Sequence, residues 1–344
     1  MPALVKRAFS AAAETAMFAR FVSLVERFHQ QRTNLVQVLT YHRIDDPRAR
    51  PNLAPSTLSA TPAVFERQMA YLARRYRVVT IADVQAACEG GKRLPHAAVL
   101  ITFDDAYEDF EENAWPILQR YGLPAVLFVP SAYPDHPDWT FWWDRLYQAL
   151  RDAGAHHSLP APWEALPLAS AKLRSLAHGR VIGWLKSLPH VQAMEWIARL
   201  VQRWQLPPAE SHVLGWDALR RLASRGLALG AHTRTHPLLH RVSAEVAYAE
   251  AAGSLADLRR EVGDIPPVFA YPGGYFDAES LEAVRRAGFK LAFAGRRGVN
   301  CLDRPEPLRL RRNNIGSGTS QNVFRARLLP WSIHLNRWRP VTGA

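Results

Sequence analysis

Residues 97–103 read AAVLITF, an apolar run broken only by Thr102, and residues 124–130 read PAVLFVP. A strand that alternates apolar and polar residues covers one face of a sheet. A strand apolar at almost every position needs cover on both faces, which a parallel sheet flanked by helices provides. The surrounding chain supplies those helices. Leu35–Tyr41 (LVQVLTY) reads as a first strand, Phe65–Arg75 as a helix leading into a strand at Arg77–Ile81, and Glu108–Tyr121 as a helix that Pro116 kinks or restarts. Later, Gly226–Ala231, Val268–Tyr271, Lys290–Ala294 and Leu308–Arg311 read as strands, with helices at Ser243–Val262 and Ala278–Ala287. This order predicts an α/β fold, an irregular (β/α) barrel of about seven strands. A doubly wound open sheet is the alternative.

The alternation is interrupted between about Pro134 and Leu214, and eight of the eleven tryptophans lie from Trp139 to Trp216. Helical spacing dominates there, at Phe141–Arg151, Ala171–Leu188 and Val191–Trp204, so the stretch reads as a Trp-rich helical insertion over one end of the barrel. Most of its indoles are expected to fill its own core. Trp142 and Trp143 are the candidates for a wall on which a sugar ring stacks. The expected organisation is an N-terminal amphipathic helix in 1–34, the barrel in 35–320 with its insertion at about 134–214, and a basic tail in 321–344.

Charge is concentrated at the ends. The chain carries 43 Lys+Arg against 31 Asp+Glu, a formal charge of +12. From Pro307 onward there is no acidic residue, but there are seven arginines: Arg309, Arg311, Arg312, Arg325, Arg327, Arg337 and Arg339. With Trp331 and Trp338 among them, the tail suits an anionic membrane surface or an acidic partner, or packs on its own domain. No nucleic-acid reader motif accompanies it, so no nucleic acid is expected. Phe18, Phe21, Val22, Val25 and Phe28 fall at helical spacing near Lys6, Arg7, Arg20 and Arg27, predicting an amphipathic helix over about 4–31 that packs on its own domain or lies on a membrane. Glu14 and Arg20 interrupt the apolar run, so it does not read as a signal peptide, and nowhere do 18 apolar residues run together as a spanning helix requires. The expected location is the cytoplasm, with a peripheral position at the inner membrane as the sharper option. Two cysteines, Cys88 and Cys301, exclude a disulfide framework and a zinc site built on Cys pairs.

Three segments, each at a predicted C-terminal strand end, carry chemistry. Thr102-Phe103-Asp104-Asp105 puts two carboxylates where a buried strand emerges. An unpaired buried charge costs several kcal/mol, so the pair needs an ion or a polar site, unless it only caps a helix. His232-Thr233-Arg234-Thr235-His236-Pro237 holds two imidazoles four residues apart, able to converge on one ion or simply to lie exposed on a loop; His240 repeats the spacing as a second choice. One carboxylate and two imidazoles leave positions open for water and substrate, as a catalytic zinc requires, and Fe2+ or Co2+ also suits that set. The other Asp is then free to act as a base. In Phe269-Ala270-Tyr271-Pro272-Gly273-Gly274 a glycine pair lets backbone N–H groups approach an oxyanion, although alone it is a turn.

Together these segments resemble the polysaccharide deacetylases, the carbohydrate esterase family 4 or NodB-homology group. Thr102–Asp105 is similar to that family's T-F-D-D motif, His232–Pro237 to H-[ST]-x-x-H-P, and Ala270–Gly274 to a degraded R-x-P-[YF]-G. The resemblance covers roughly residues 35–130 and 210–315. It implies that Asp104 is the catalytic base, that Asp105, His232 and His236 bind Zn2+, and that Tyr271 and the backbone N–H of Gly273 face the substrate. Ala270 stands where the family motif has a base-orienting Arg, and Arg312 is the candidate substitute. The family's late L-x-x-H, which supplies the general acid, is absent after residue 295, and His334 in the tail is a poor candidate. Tyr41-His42 resembles an N-terminal Y-H of members with a rearranged strand order, which makes His42 the expected acid. The function implied is removal of N-acetyl groups from an amino-sugar polysaccharide or lipid-linked glycan by zinc-activated water. Deformylation, O-deacetylation or another C–N hydrolysis on the same fold is the alternative, as is a non-catalytic glycan- or surface-binding relative. Retention of both aspartates speaks against the last.

Overall fold

The computed structural model describes residues 15–29, 33–153 and 157–329. Among them the strands are β1 (Leu35–Tyr41), β2 (Arg43–Ile44), β3 (Leu58–Ala60), β4 (Arg77–Val78), β5 (Ala98–Phe103), β6 (Val126–Val129), β7 (Ala228–Ala231), β8 (Val268–Ala270), β9 (Leu291–Ala294), β10 (Val299–Cys301), β11 (Leu310–Arg311) and β12 (Asn313–Asn314). The main sheet runs β1-β5-β6-β7-β8-β9-β11 with every pair parallel, and β10 lies antiparallel against β1. This is the barrel that the buried apolar runs predict, not the open doubly wound sheet.

The ring closes at a narrow seam. β11 pairs with β9 and β12 pairs with β1, and Arg312 is the one residue between them, so the chain steps from one side of the seam to the other there. Asn300 of β10 fastens the same place. Its Nδ2 donates to the carbonyl of Arg311 at 2.9 Å, and its Oδ1 accepts the Arg311 N–H at 2.8 Å.

Side chains of successive strand residues leave opposite faces, and two buried clusters follow from that. Val36, Val38, Ala98, Leu100, Val126, Phe128, Val268, Ala270, Leu291, Phe293 and Leu310 pack together inside the ring, closed below by Ile81, Val84 and Leu94. The alternate positions, among them Leu39, Val99, Ile101, Leu127, Leu229 and Phe269, face outward to the flanking helices, including Phe65, Met69 and Leu72 of Pro62–Arg75 and Leu255 and Leu258 of Ala244–Val262.

Local chemistry explains where the elements depart from expectation. The strand predicted at Arg77–Ile81 ends at Val78, because Thr80 and Asp83 form a capping box that starts a helix at Ile81–Cys88. Pro116 lies in the first turn of Trp115–Arg120, and a π-helical segment at Phe110–Ala114 precedes it, so the proline restarts the helix. Strands β2, β3, β10 and β12 have two or three residues each, too short to show a period.

The interruption contains helices Trp142–Asp152, Ala171–Leu185 and His190–Arg203. They enclose a separate apolar cluster around the fully buried Trp196, with Trp163, Trp184 and Trp204 packed on it. At the other end, helix Ala16–His29 buries Val22 against Ala326 and Leu329, and its Glu26 pairs with Arg325 at 2.8 Å and accepts a hydrogen bond from Tyr71. Its apolar side therefore meets helix Gln321–Arg327 of the same chain. Among the described residues no helix is long and apolar enough to cross a membrane. The side chains of Phe21, Arg27 and Phe28, the residues before 15, and the tail with Trp331, His334, Arg337, Trp338 and Arg339 lie outside the described residues.

The seam generates a test. Asn300→Ala removes both bonds to Arg311, and leaving those part-buried backbone groups without that partner is expected to lower unfolding stability by about 1 kcal/mol. Equilibrium urea unfolding checks this, with a lower midpoint at unchanged slope as the expected result.

Candidate metal centre and active-site cleft

Asp104, His232 and Arg312 all continue the inward register of their strands: Leu100-Thr102-Asp104 after β5, Ala228-Gly230-His232 after β7 and Leu310-Arg312 at β11. The sheet hydrogen bonds carry past the strand ends to hold two of them. The Asp104 N–H donates to Tyr41 at 2.9 Å and the His232 N–H to Val129 at 3.0 Å. By strict alternation Asp105 would point outward. Instead its φ is 73° and that of Ala106 is 52°, a left-handed turn that brings its carboxylate back over the mouth of the barrel. The second loop does the same at Thr233 (φ 64°) and His236 (φ 60°).

These turns bring three donors together. Asp105 Oδ1 lies 3.4 Å from His232 Nε2 and 3.3 Å from His236 Nε2, and the three ligand atoms fit within 4.8 Å of one another. Asp105, His232 and His236 are all buried, and Asp105 Oδ1 has no hydrogen-bond partner among the described residues. The separations are close to the edge, roughly 3.4 Å, of a tetrahedron with ligand bonds of about 2.1 Å. The two carboxylates give the centre a negative field. Burial works to lower the pKa of His232, yet Asp104 and Asp105 overcome it and hold that pKa above its ordinary value. His236 is driven down by burial and keeps the neutral form that a ligand needs. The set fits a divalent metal ion on these grounds.

The two histidines are held in different ways. His232 Nδ1 meets the Ala270 carbonyl at 2.7 Å, which leaves Nε2 facing the centre. His236 Nδ1 has no partner among the described residues. Its ring is gripped by aromatics instead: Trp143 at 4.9 Å and Phe141 at 5.4 Å between centroids, with those two stacked on each other at 4.4 Å. Trp143 is pinned in turn, its Nε1 donating to the Tyr107 hydroxyl at 3.0 Å and that hydroxyl donating to buried Asp144 at 2.6 Å. Burial raises Asp144 to about 6. Glu250 secures the loop itself, accepting the N–H groups of Arg234 (2.7 Å) and Thr235 (2.9 Å) and the Thr235 hydroxyl (2.7 Å).

Beside the donors, Arg312 Nη1 meets Asp104 Oδ1 at 2.7 Å, both side chains buried. Burial pushes the Asp104 carboxyl up, but Arg312, with His232 and His42, holds it below its ordinary value and ionised. Asp104, Asp105, His232, His236, Arg312, His42, Gly273, Trp142 and Trp143 line one cavity of about 510 Å3. The His42 N–H donates to Ser59 Oγ at 2.9 Å. Gly274 packs so closely on Gly295 that an added Cβ would lie 2.3 Å from its Cα, and Gly273 has φ 63°, so this turn requires both glycines.

Two expectations are corrected. Tyr271 does not face the cleft: its ring is buried between Phe269 and Phe276, and its hydroxyl donates to the Leu308 carbonyl at 3.0 Å. Position 271 follows Val268–Ala270 on the outward register, which sends it to the helix layer. His240, the second-choice ligand, stacks on Tyr275 at 5.3 Å and is not part of the donor group. Residues without a sequence signal also line the cavity, notably His178, Ile182 and Lys186 from the insertion and Asn314 from β12.

Comparisons with known proteins point to one family. A sequence model of the polysaccharide deacetylase family matches residues 91–159 and 185–292. A poly-beta-1,6-N-acetyl-D-glucosamine N-deacetylase of Escherichia coli (strain K12) is 34% identical over 100 residues, 29% of this chain and 14% of that protein's length. Among solved structures, the Streptococcus pyogenes deacetylase PplD in complex with acetate is similar with a TM-score of 0.58 and 19% identity, over 87% of this chain and 100% of that one. IcaB from Ammonifex degensii is similar with a TM-score of 0.54 and 19% identity, over 88% and 99%. These two likenesses are of fold.

Trp143→Ala should loosen His236 without touching a donor atom. Chelator competition with Zn2+ or Co2+ is expected to show metal affinity weakened about 10–100-fold, with Tyr107→Phe giving a smaller loss in the same direction. Unchanged affinity in both variants would refute the aromatic grip.

Proposed function

The chain belongs to the polysaccharide deacetylase family, and we propose that it is a metal-dependent hydrolase that removes N-acetyl groups from an amino-sugar glycan. The observation that carries this reading is the buried Asp104–Arg312 pair set beside the Asp105–His232–His236 donor group in one cavity. A binding protein has no use for an ionised base held next to a metal site.

Asp105, His232 and His236 would hold the ion, with zinc the first choice and Fe2+ or Co2+ suited to the same donors. When bound, such an ion polarises the amide carbonyl and makes a water more acidic. Asp104 takes a proton from the attacking water as its oxygen adds to the amide carbon. Arg312 keeps the carboxylate ionised and fixes its direction, the part that an arginine at position 270 would otherwise play. The backbone N–H of Gly273 is the proposed donor to the oxyanion. His42 donates a proton to the sugar nitrogen as the C–N bond breaks, so that acetate and a free amine leave. Trp142 offers an indole face to a pyranose ring. On this reading the barrel of 35–320 is the catalytic unit and the insertion at about 134–214 forms part of its substrate cleft.

Acetate release from N-acetylglucosamine oligomers, measured together with bound metal, tests this. Asp104→Asn is expected to keep its metal and lose turnover by about a thousandfold or more, as removal of a proton-transfer group does. His42→Ala should also retain metal while losing most turnover. Formate release from the N-formyl analogue, in preference to acetate, would instead favour a deformylase. Failure of any metal to bind would leave the non-catalytic reading.

A further inference from the structure

The carboxylates lining the cavity are Asp104 and Asp105, and both are committed, one to Arg312 and the other to the donor group. A cation is left over. Lys186, at the end of helix Ala171–Leu185, lines the same cavity and has no carboxylate partner among the described residues. Lys186 is exposed to solvent at the rim, and its charge lies within the field of Asp105.

Trp142, Lys186 and Leu238 also line a neighbouring shallow groove. That groove has an apolar floor, including Leu188 and Met194, and its polar lining is Lys186, His190 and Arg241, with no carboxylate. Arg241 likewise has no ion pair among the described residues. Glu250, whose charge reaches His190, is engaged by the 234–235 backbone. An indole face, an apolar floor and two unpaired cations in a row suit a sugar ring that carries a negative charge.

We infer that this groove is a subsite for an anionic group, a carboxylate or a phosphate, on a sugar adjoining the N-acetyl residue, held by Lys186 and Arg241 beside Trp142. The inference rests on the deacetylase reading and narrows its substrate class to anionic glycans. The alternative role for Lys186 is local, to neutralise the carbonyl end of its own helix.

The test uses the full metal-loaded chain and three matched oligomers: neutral N-acetylglucosamine, the same with a neighbouring uronate, and the same with a neighbouring phosphodiester. Wild type is expected to favour one charged oligomer over the neutral one in kcat/KM by about tenfold or more. The arm that is preferred names carboxylate or phosphate. That ratio should collapse in Lys186→Gln and Arg241→Gln, mainly through KM, survive in Lys186→Arg, and shrink as salt is raised. Calorimetric binding of the same oligomers to Asp104→Asn gives the comparison without turnover. No preference in wild type, or a ratio unchanged in both glutamine variants, would overturn the subsite. A Lys186→Gln effect confined to the urea midpoint would assign the lysine to its helix end. Release of acetate from none of the three would instead count against the deacetylase reading.

Discussion

The ion pair between Asp104 and Arg312 is the interaction on which the molecule turns. Two buried charges 2.7 Å apart are stable only while both are present. Arg312 is also the residue at which the chain crosses from β11 to β12, so the contact that fixes the Asp104 carboxylate is anchored at the seam of the barrel. Losing one partner would strand the other, a penalty of about 3–5 kcal/mol at the point where the ring closes. Architecture and chemistry thus share one bond. A base oriented from a strand crossing cannot be moved without opening the wall behind it.

Strain is concentrated at the same mouth. Of the seven non-glycine residues with positive φ among those described, four are Asp105, Ala106, Thr233 and His236. Strict alternation places only every second residue inside a barrel, so two adjacent carboxylates, Asp104 and Asp105, could not both reach its mouth. The left-handed turns overcome that limit, and the surrounding bonds hold them in place: the Leu214 N–H on Ala106, the His236 N–H on Thr233, and Glu250 under the second loop.

Much of this is written in the chain as period and type. The apolar runs at 97–103 and 124–130 demand a parallel sheet with two covered faces, and counting by twos from Leu100 reaches Asp104. The same count sends Tyr271 outward, a check that the motif-like look of its neighbourhood concealed. Other features leave no local trace. Glu250 lies mid-helix with no sign that it caps a distant loop, and Lys186 reads as an ordinary surface lysine until the insertion folds over the barrel. Asn300 and Asn314 belong to strands of three and two residues, where pairing is set by the sheet they join.

The unequal anchoring of the two histidines has an evolutionary corollary. His232 is held by the barrel's own backbone, whereas His236 leans on an indole supplied by the insertion. The same indole borders the cavity. Remodelling the insertion would therefore disturb the setting of His236 as well, so exchange of this segment between relatives is constrained to swaps that keep Trp143 and Asp144 in register with Tyr107 of the barrel.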